Sequence, residues 1–150
     1  MIPMKELRLK LGTLLAADSA TLAPAADANE IALINAAFNE DEDLVIGDLT
    51  LADFDGSTPI AGALGTQQTG IDPDTAEQRI TIKDPLGGYR FITTGLTNLP
   101  QQIFGMALTN LAGTALLGVE LFDEPITLTE VGQEINLGKV QMTMVLQPLS

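Results

Sequence analysis

The sequence predicts an all-β chain: an antiparallel β-sandwich, jelly-roll-like, with a short N-terminal arm. Three observations carry this. Over 78–83, Ile80 and Ile82 alternate with Arg79, Thr81 and Lys83, and over 141–146, Met142, Met144 and Leu146 stand opposite Gln141, Thr143 and Val145. Alternation with a period of two is the signature of a half-buried strand. Turn signals punctuate the chain, among them Pro85-Leu86-Gly87-Gly88 and Asn110-Leu111-Ala112-Gly113, where glycine supplies the positive φ that tight hairpins need. Finally, strand-like runs recur at spacings of about 8–12 residues, giving roughly nine short strands. That pattern belongs to sandwiches and jelly rolls. Helix is expected below about 20%, against the roughly 30–35% of ordinary soluble proteins.

Taken in order, residues 1–28 read as an arm and connector and 29–150 as the sandwich domain. In the arm, Leu7, Leu9 and Leu11 alternate with Glu6, Arg8 and Lys10, while Leu7, Leu11, Leu14 and Leu15 also fit one helical face. A strand over 5–11 followed by a short helix or turn is expected. Residues 18–29, with many alanines and Pro24, connect it to the body. Strands are expected over 30–37, 58–65, 78–83, 89–94, 103–109, 114–122, 126–129 and 140–146. Leu44 to Ile46 reads as a short apolar stretch, 48–54 as a helical turn, and 71–76 as a loop built on Asp72-Pro73-Asp74. Gly113 is expected at a positive φ in the turn after the 103–109 strand.

Composition narrows the function. With 150 residues there is enough chain for one domain with its own core. The 45% hydrophobic content is drawn mainly from Leu, Ile, Val and Ala; Phe38, Phe54, Phe91, Phe104, Phe122 and Tyr89 are the aromatics. The net charge is −13, from seven basic and 20 acidic residues. Such a surface repels phosphate backbones and anionic membranes, so neither nucleic acid nor membrane is expected as a partner. No apolar run approaches the roughly 20 residues that span a bilayer. Charged residues interrupt the N-terminus as Lys5, Glu6, Arg8 and Lys10, so no signal peptide is read there. A chain made and used in the cytoplasm is expected.

Histidine and cysteine are both absent. That removes the commonest general base and metal ligand, the Ser-His-Asp and Cys-His arrangements, and zinc sites built from these residues. No phosphate loop exists, since Gly87-Gly88 runs on into Tyr89-Arg90. Paired carboxylates remain, but a sugar-cleaving pair usually works beside aromatic platforms, and there is no Trp and one Tyr. No enzyme, no cofactor and no metal site are therefore expected. Glu40-Asp41-Glu42-Asp43 reads as a solvated turn, with a weak calcium site as the sharper alternative. Asp53-Phe54-Asp55-Gly56 looks like a piece of a calcium loop without its remaining ligands, and is read as a turn. The Met142 and Met144 stripe reads as core, or alternatively as a pliable subunit contact.

From Leu44 to the C-terminus a longer pattern emerges: Leu51-Ala52-Asp53-Phe54-Asp55-Gly56, then 102–110 (QIFGMALTN), 113–122 (GTALLGVELF), Glu124-Pro125-Ile126 and Val131-Gly132-Gln133-Glu134-Ile135. This order resembles small β-rich virion structural proteins encoded by phages and other environmental viruses. The resemblance implies a non-enzymatic structural component of a virus particle: a minor capsid, decoration or fibre subunit, made in the host cytoplasm and carried in the virion. It implies no catalytic residues. The partners expected are further copies of the chain, as a homo-oligomer, and other virion proteins.

The arm is the expected connector. Lys5, Leu7, Arg8, Leu9, Lys10 and Leu11 combine three of the seven basic residues with an apolar row. Placed on a neighbouring acidic subunit, residues 1–15 would offset charge repulsion and hide leucines; the competing possibility is that they fold back on their own domain. Two other functions stay open. One is a receptor- or glycan-binding head using Tyr89 and the 40–43 turn. The other is a subunit of a bacterial surface filament.

Overall fold

The apolar run Ile31-Ala32-Leu33-Ile34 has no polar alternation, and all four side chains are buried. A strand of this kind needs both faces of its sheet covered. The computed structural model, which describes residues 2–4, 29–61, 66–71, 78–83, 89–110, 112–138 and 141–146, shows how each face is covered. Its strands are β1 (Ile2–Pro3), β2 (Asn29–Ile34), β3 (Ile60–Ala61), β4 (Thr66–Ile71), β5 (Gln78–Lys83), β6 (Tyr89–Ile92), β7 (Gln101–Asn110), β8 (Leu116–Leu128), β9 (Glu134–Leu137) and β10 (Gln141–Leu146). Among the described residues, the helical content is one 3-10 turn, Ile46–Asp48.

The strands form a five-stranded sheet in the order β1-β8-β7-β2-β3, a three-stranded sheet β10-β5-β4 and the pair β6-β9. All pairings are antiparallel. Three of them are nested in the chain: β7 pairs with β8, β6 with β9, and β5 with β10. One long hairpin thus runs from β5 to β10, and its successive rungs fall in different sheets. The innermost turn contains Gly113 at φ 65°, as expected. Asn110 closes it, its side-chain oxygen accepting the N–H groups of Thr114 and Ala115 at 2.8 and 3.0 Å.

One face of the five-stranded sheet carries Ile31, Leu33, Ile103, Met106, Leu108 and Leu128. These pack with Tyr89 and Phe91 of β6, Ile135 and Leu137 of β9, and Phe54. The opposite face carries Ile34, Ala107, Leu116 and Val119, with Met4. Phe38, Leu44, Ile46, Leu49 and Leu51, from the 35–51 segment, pack over it. That segment returns along the outer edge of β2, where Asn35 donates to the Thr50 carbonyl and Ala52 to that of Leu33.

Several elements differ from the sequence reading. The 3-10 turn sits at Ile46–Asp48 rather than over 48–54, and Leu51 bridges to Ile34 in extended conformation. The expected 126–129 strand is continuous with β8. There, four residues, Phe122 to Pro125, stand opposite Phe104 alone, because Ile103 pairs with Ile126 and Gly105 with Leu121. An insertion of this kind bends a strand without ending it. Strands β4 and β9 were not expected: β4 is Thr-Gln-Gln-Thr-Gly-Ile, without alternation of apolar and polar residues, and β9 is only four residues long. Residues 85–88, expected to turn, lie outside the described residues.

The expected boundary at 28/29 is crossed at the N-terminus. Ile2 and Pro3 pair with Val119 and Gly118, and the Met4 N–H reaches the Leu117 carbonyl at 3.1 Å. Met4 is fully buried, and β10 runs close to β1. Residues 2–4 therefore belong to the same sheet as the rest of the chain.

Candidate functional site

The residues expected to connect subunits, Lys5, Leu7, Arg8, Leu9, Lys10 and Leu11, lie outside the described residues, as do the side chains of Met142 and Met144 and the Asp72-Pro73-Asp74 loop. Met4, immediately before Lys5, is buried with Ala107, Leu116 and Val119, on the face covered by 35–51.

The acidic turn 40–43 has a defined geometry. Asp41 Oδ1 accepts the Asp43 N–H at 2.9 Å, and its carbonyl accepts the Leu44 N–H. Asp48 Oδ2 accepts the Val45 N–H at 3.0 Å. Glu40 does something different: its carboxylate accepts the Leu121 N–H at 2.7 Å. Leu117 turns its backbone towards β1, as its bond from Met4 shows, and the two-residue period of a strand points Val119 and Leu121 the same way. Glu40 thus takes the next edge N–H, just beyond the short β1. A side chain placed there blunts an edge that would otherwise offer an unpaired donor. Phe38 reaches the sheet because Gly105 has no Cβ; one built there would stand 2.8 Å from the ring and 2.2 Å from the Glu120 carbonyl.

The calcium-loop fragment proves to be a clasp. Asp53 Oδ1 accepts Gln101 Nε2 at 2.6 Å and Asn35 Nδ2 at 3.4 Å, while the Asp53 N–H donates to Gln101 Oε1. Asn98 Nδ2 donates to the Asp53 carbonyl, and the Thr94 N–H to that of Asp55. Gly56, at φ 107°, lies so close to the Ile92 carbonyl that a Cβ would stand 1.8 Å from it. Phe54 points the other way, into the core. The motif fastens the 93–100 loop to the sheet, and its carboxylate is engaged by amides. Among the described residues no group of three acids could hold a metal ion, and no helix is long and apolar enough to cross a membrane.

For the alternative of a receptor- or glycan-binding head, Tyr89 would have to offer an exposed ring. It is 6% exposed and packs in the core beside Phe91, because residues 89 and 91 of a strand share a face. The ring cannot serve as a platform for a sugar. Arg90, on the opposite side of β6, pairs with Glu134 of β9. Hydrogen bonding to Arg90 holds the Glu134 carboxyl below its usual range.

Sequence reasoning also missed a buried node at Thr93, 1% exposed. Its hydroxyl donates to the Glu130 carbonyl at 2.6 Å and accepts the Gln133 N–H at 2.9 Å. Gln133 Oε1 in turn accepts the N–H groups of Thr129 and Glu130. This ties the end of β6 to the turn before β9. No local motif announces it. Gly105, in contrast, carried a readable signal, since a glycine inside an apolar strand marks a close approach.

Among the described residues, the larger exposed apolar side chains are Val45, Leu96, Leu121, Ile126 and Val131. Leu121 and Ile126 flank the β8 insertion, Leu96 sits on the 93–100 loop, and Val131 on the turn before β9. Compared with protein-family models, curated proteins and solved structures, the chain matches none.

Proposed function

We propose that this chain is a non-enzymatic structural component of a virus particle, a minor capsid, decoration or fibre subunit that acts through homo-oligomeric assembly. We read its layers as an antiparallel sandwich wound as a jelly roll. The observation that supports this reading is the nested pairing of β7 with β8, β6 with β9 and β5 with β10. A jelly roll is such a long hairpin rolled so that its rungs alternate between sheets, and viral capsid domains are among the proteins built this way. The pairing scheme speaks to architecture, and architecture alone does not choose a function. The order of the 51–56, 102–110, 113–122 and 131–135 runs supports the virion assignment beside it. A chain without histidine or cysteine suits a role made of surfaces rather than chemistry.

Size-exclusion chromatography with light scattering, followed by negative-stain imaging of the full chain, tests the proposal. Closed oligomers of fixed copy number are expected. A monomer at every concentration overturns the assembly role, and open-ended filaments move the chain to the surface-filament class.

A further inference from the structure

An edge strand presents unpaired backbone N–H and C=O groups, so the treatment of each edge decides what a β protein can pair with. The edge of β8 beyond β1 is guarded. Glu40 takes the Leu121 N–H, the insertion at 122–125 interrupts the ladder, and Pro125 brings no donor. Glu120, Asp123 and Glu124 add charge that repels another acidic chain. The outer side of β2 is closed by β3 and by the bonds to Thr50 and Ala52. On the outer side of β6, the Thr94 N–H donates to the Asp55 carbonyl and Gly56 lies against the Ile92 carbonyl.

β9 has none of these devices. The Thr93 N–H donates to the Gln133 carbonyl at 3.0 Å, in the same register as the β6–β9 ladder. Residues 133, 135 and 137 therefore turn their backbone groups towards β6, and the two-residue period turns those of Glu134 and Asn136 away from it. Among the described residues no backbone group meets that outer edge. The strand contains no proline, glycine or lysine, and its inner side chains, Ile135 and Leu137, are buried.

This edge is complementary to itself. In an antiparallel pair, two residues with outward backbone groups stand opposite each other and exchange both bonds. Setting Glu134 opposite a second Glu134 places like charges together, which is destabilising. Setting Asn136 opposite a second Asn136 carries Glu134 past the end of the facing strand. Setting Glu134 opposite Asn136 bonds both outward residues of each chain and puts a carboxylate beside an amide. Asn136 Nδ2 already points to Glu134 within its own strand, at 3.5 Å. Arg90 pairs with Glu134 from β6 and offsets its charge.

We propose that β9 is the edge through which two copies of this chain join, antiparallel about a two-fold axis at Ile135, so that the paired layer continues as β6-β9-β9-β6. The inference rests on the homo-oligomeric reading above and names a surface for it. A two-fold contact of this kind closes on itself. It gains backbone bonds and little new apolar burial, so a single contact is weak and gains strength when other contacts hold the same copies together.

Light scattering over a concentration series of the full chain measures association. In the associated protein the Glu134 and Asn136 amides should exchange with solvent about tenfold more slowly than at dilution, whereas those of Ile135 and Leu137, already bonded to β6, should change little. Asn136→Asp should weaken association about threefold to tenfold at low salt, and Asn136→Lys, facing Glu134 of the second copy, should strengthen it by a similar factor, because each change acts twice across the axis. Both substitutions are at an exposed position, and an unchanged urea transition at dilution shows that the fold is kept. If the protein associates while both amides exchange as at dilution, or while the two variants shift association in any other sense, the β9 assignment is overturned and the homo-oligomeric reading stands. A chain that stays monomeric at every concentration overturns both.

Discussion

The two faces of the five-stranded sheet are built on different principles. One is closed by a paired layer, β6 and β9, whose side chains alternate strictly: Tyr89, Phe91, Ile135 and Leu137 point in, Arg90, Glu134 and Asn136 point out. The other is closed by a segment almost without repeating structure, whose apolar residues follow no period and end up half-buried. The ladder pairs the facing backbone groups of β6 and β9 together, so their side chains arrive in register. The 35–51 segment must satisfy its backbone piecemeal, through Asp41, Asp48 and the edge of β2, and buries less for each residue ordered. The paired face should therefore carry the larger share of the stability.

The sharpest way to break this comparison is a truncation on each face. Phe91→Ala should cost about 3–5 kcal/mol, as deletion of a fully buried aromatic side chain does. Phe38→Ala, on the loop-covered face and half-buried, should cost about 1–2 kcal/mol. Urea unfolding of the two variants checks this. Equal losses would mean that the loop is as well packed as the ladder.

Next in size is Gly105→Ala. The new methyl would meet both the Glu120 carbonyl and the Phe38 ring, and backbone on one side cannot give way cheaply. A loss of about 1–3 kcal/mol is expected. Hydrogen exchange should quicken in the amides of 35–51 and leave β6 and β9 as they were. Faster exchange in β6 and β9 as well would show that the two faces do not loosen separately.

Thr93→Val probes the paired layer where it has a polar anchor. The substitution keeps shape but leaves the Gln133 N–H and the Glu130 carbonyl without their hydroxyl partner, a loss of about 1–3 kcal/mol. Amides of 129–133 should exchange faster, and Thr93→Ser, which keeps the hydroxyl, should restore most of their protection. A Val variant with unchanged exchange would show that the backbone bonds between Thr93, Gly132 and Gln133 suffice.

The same contrast explains what the sequence made legible. β5 is read correctly to the residue and β10 to within one, because each alternates cleanly. The Asn110–Gly113 turn is legible because its chemistry is local. The 35–51 segment is not: Phe38, Leu44, Ile46, Leu49 and Leu51 are placed by the shape of a sheet face made elsewhere, so fragments of strand and helix are read into it. β4 forms against β5 without such alternation of its own, and Tyr89 looks like a surface aromatic until its strand neighbours fix its side. The clasp at Asp53 and the cap at Glu40 join residues 48 and 81 positions apart, and no local pattern links them.

The smallest effect belongs to the outer side of the paired layer. The Arg90 hydrogen bond holds the Glu134 carboxyl below its usual range; partial desolvation pushes the other way, and the Asn136 amide adds a minor downward push. A carboxyl with a depressed folded-state pKa contributes stability that is present above its unfolded pKa, about 4.3 for Glu, and that is lost as pH falls through the lower folded value. The pH window is therefore the acidic one, below about pH 4.5. Both side chains are substantially exposed, so water and salt screen the pair and its share of stability is small. Arg90→Gln should return the Glu134 titration, followed by carboxyl-carbon NMR, to the ordinary range, and should slightly flatten the acidic limb of stability against pH. The paired layer should otherwise stay intact, because Tyr89, Phe91, Ile135 and Leu137 hold it from the inside. If the variant instead exposes those four residues to exchange at neutral pH, the layer depends on its outer ion pair and the ranking of the two faces is wrong.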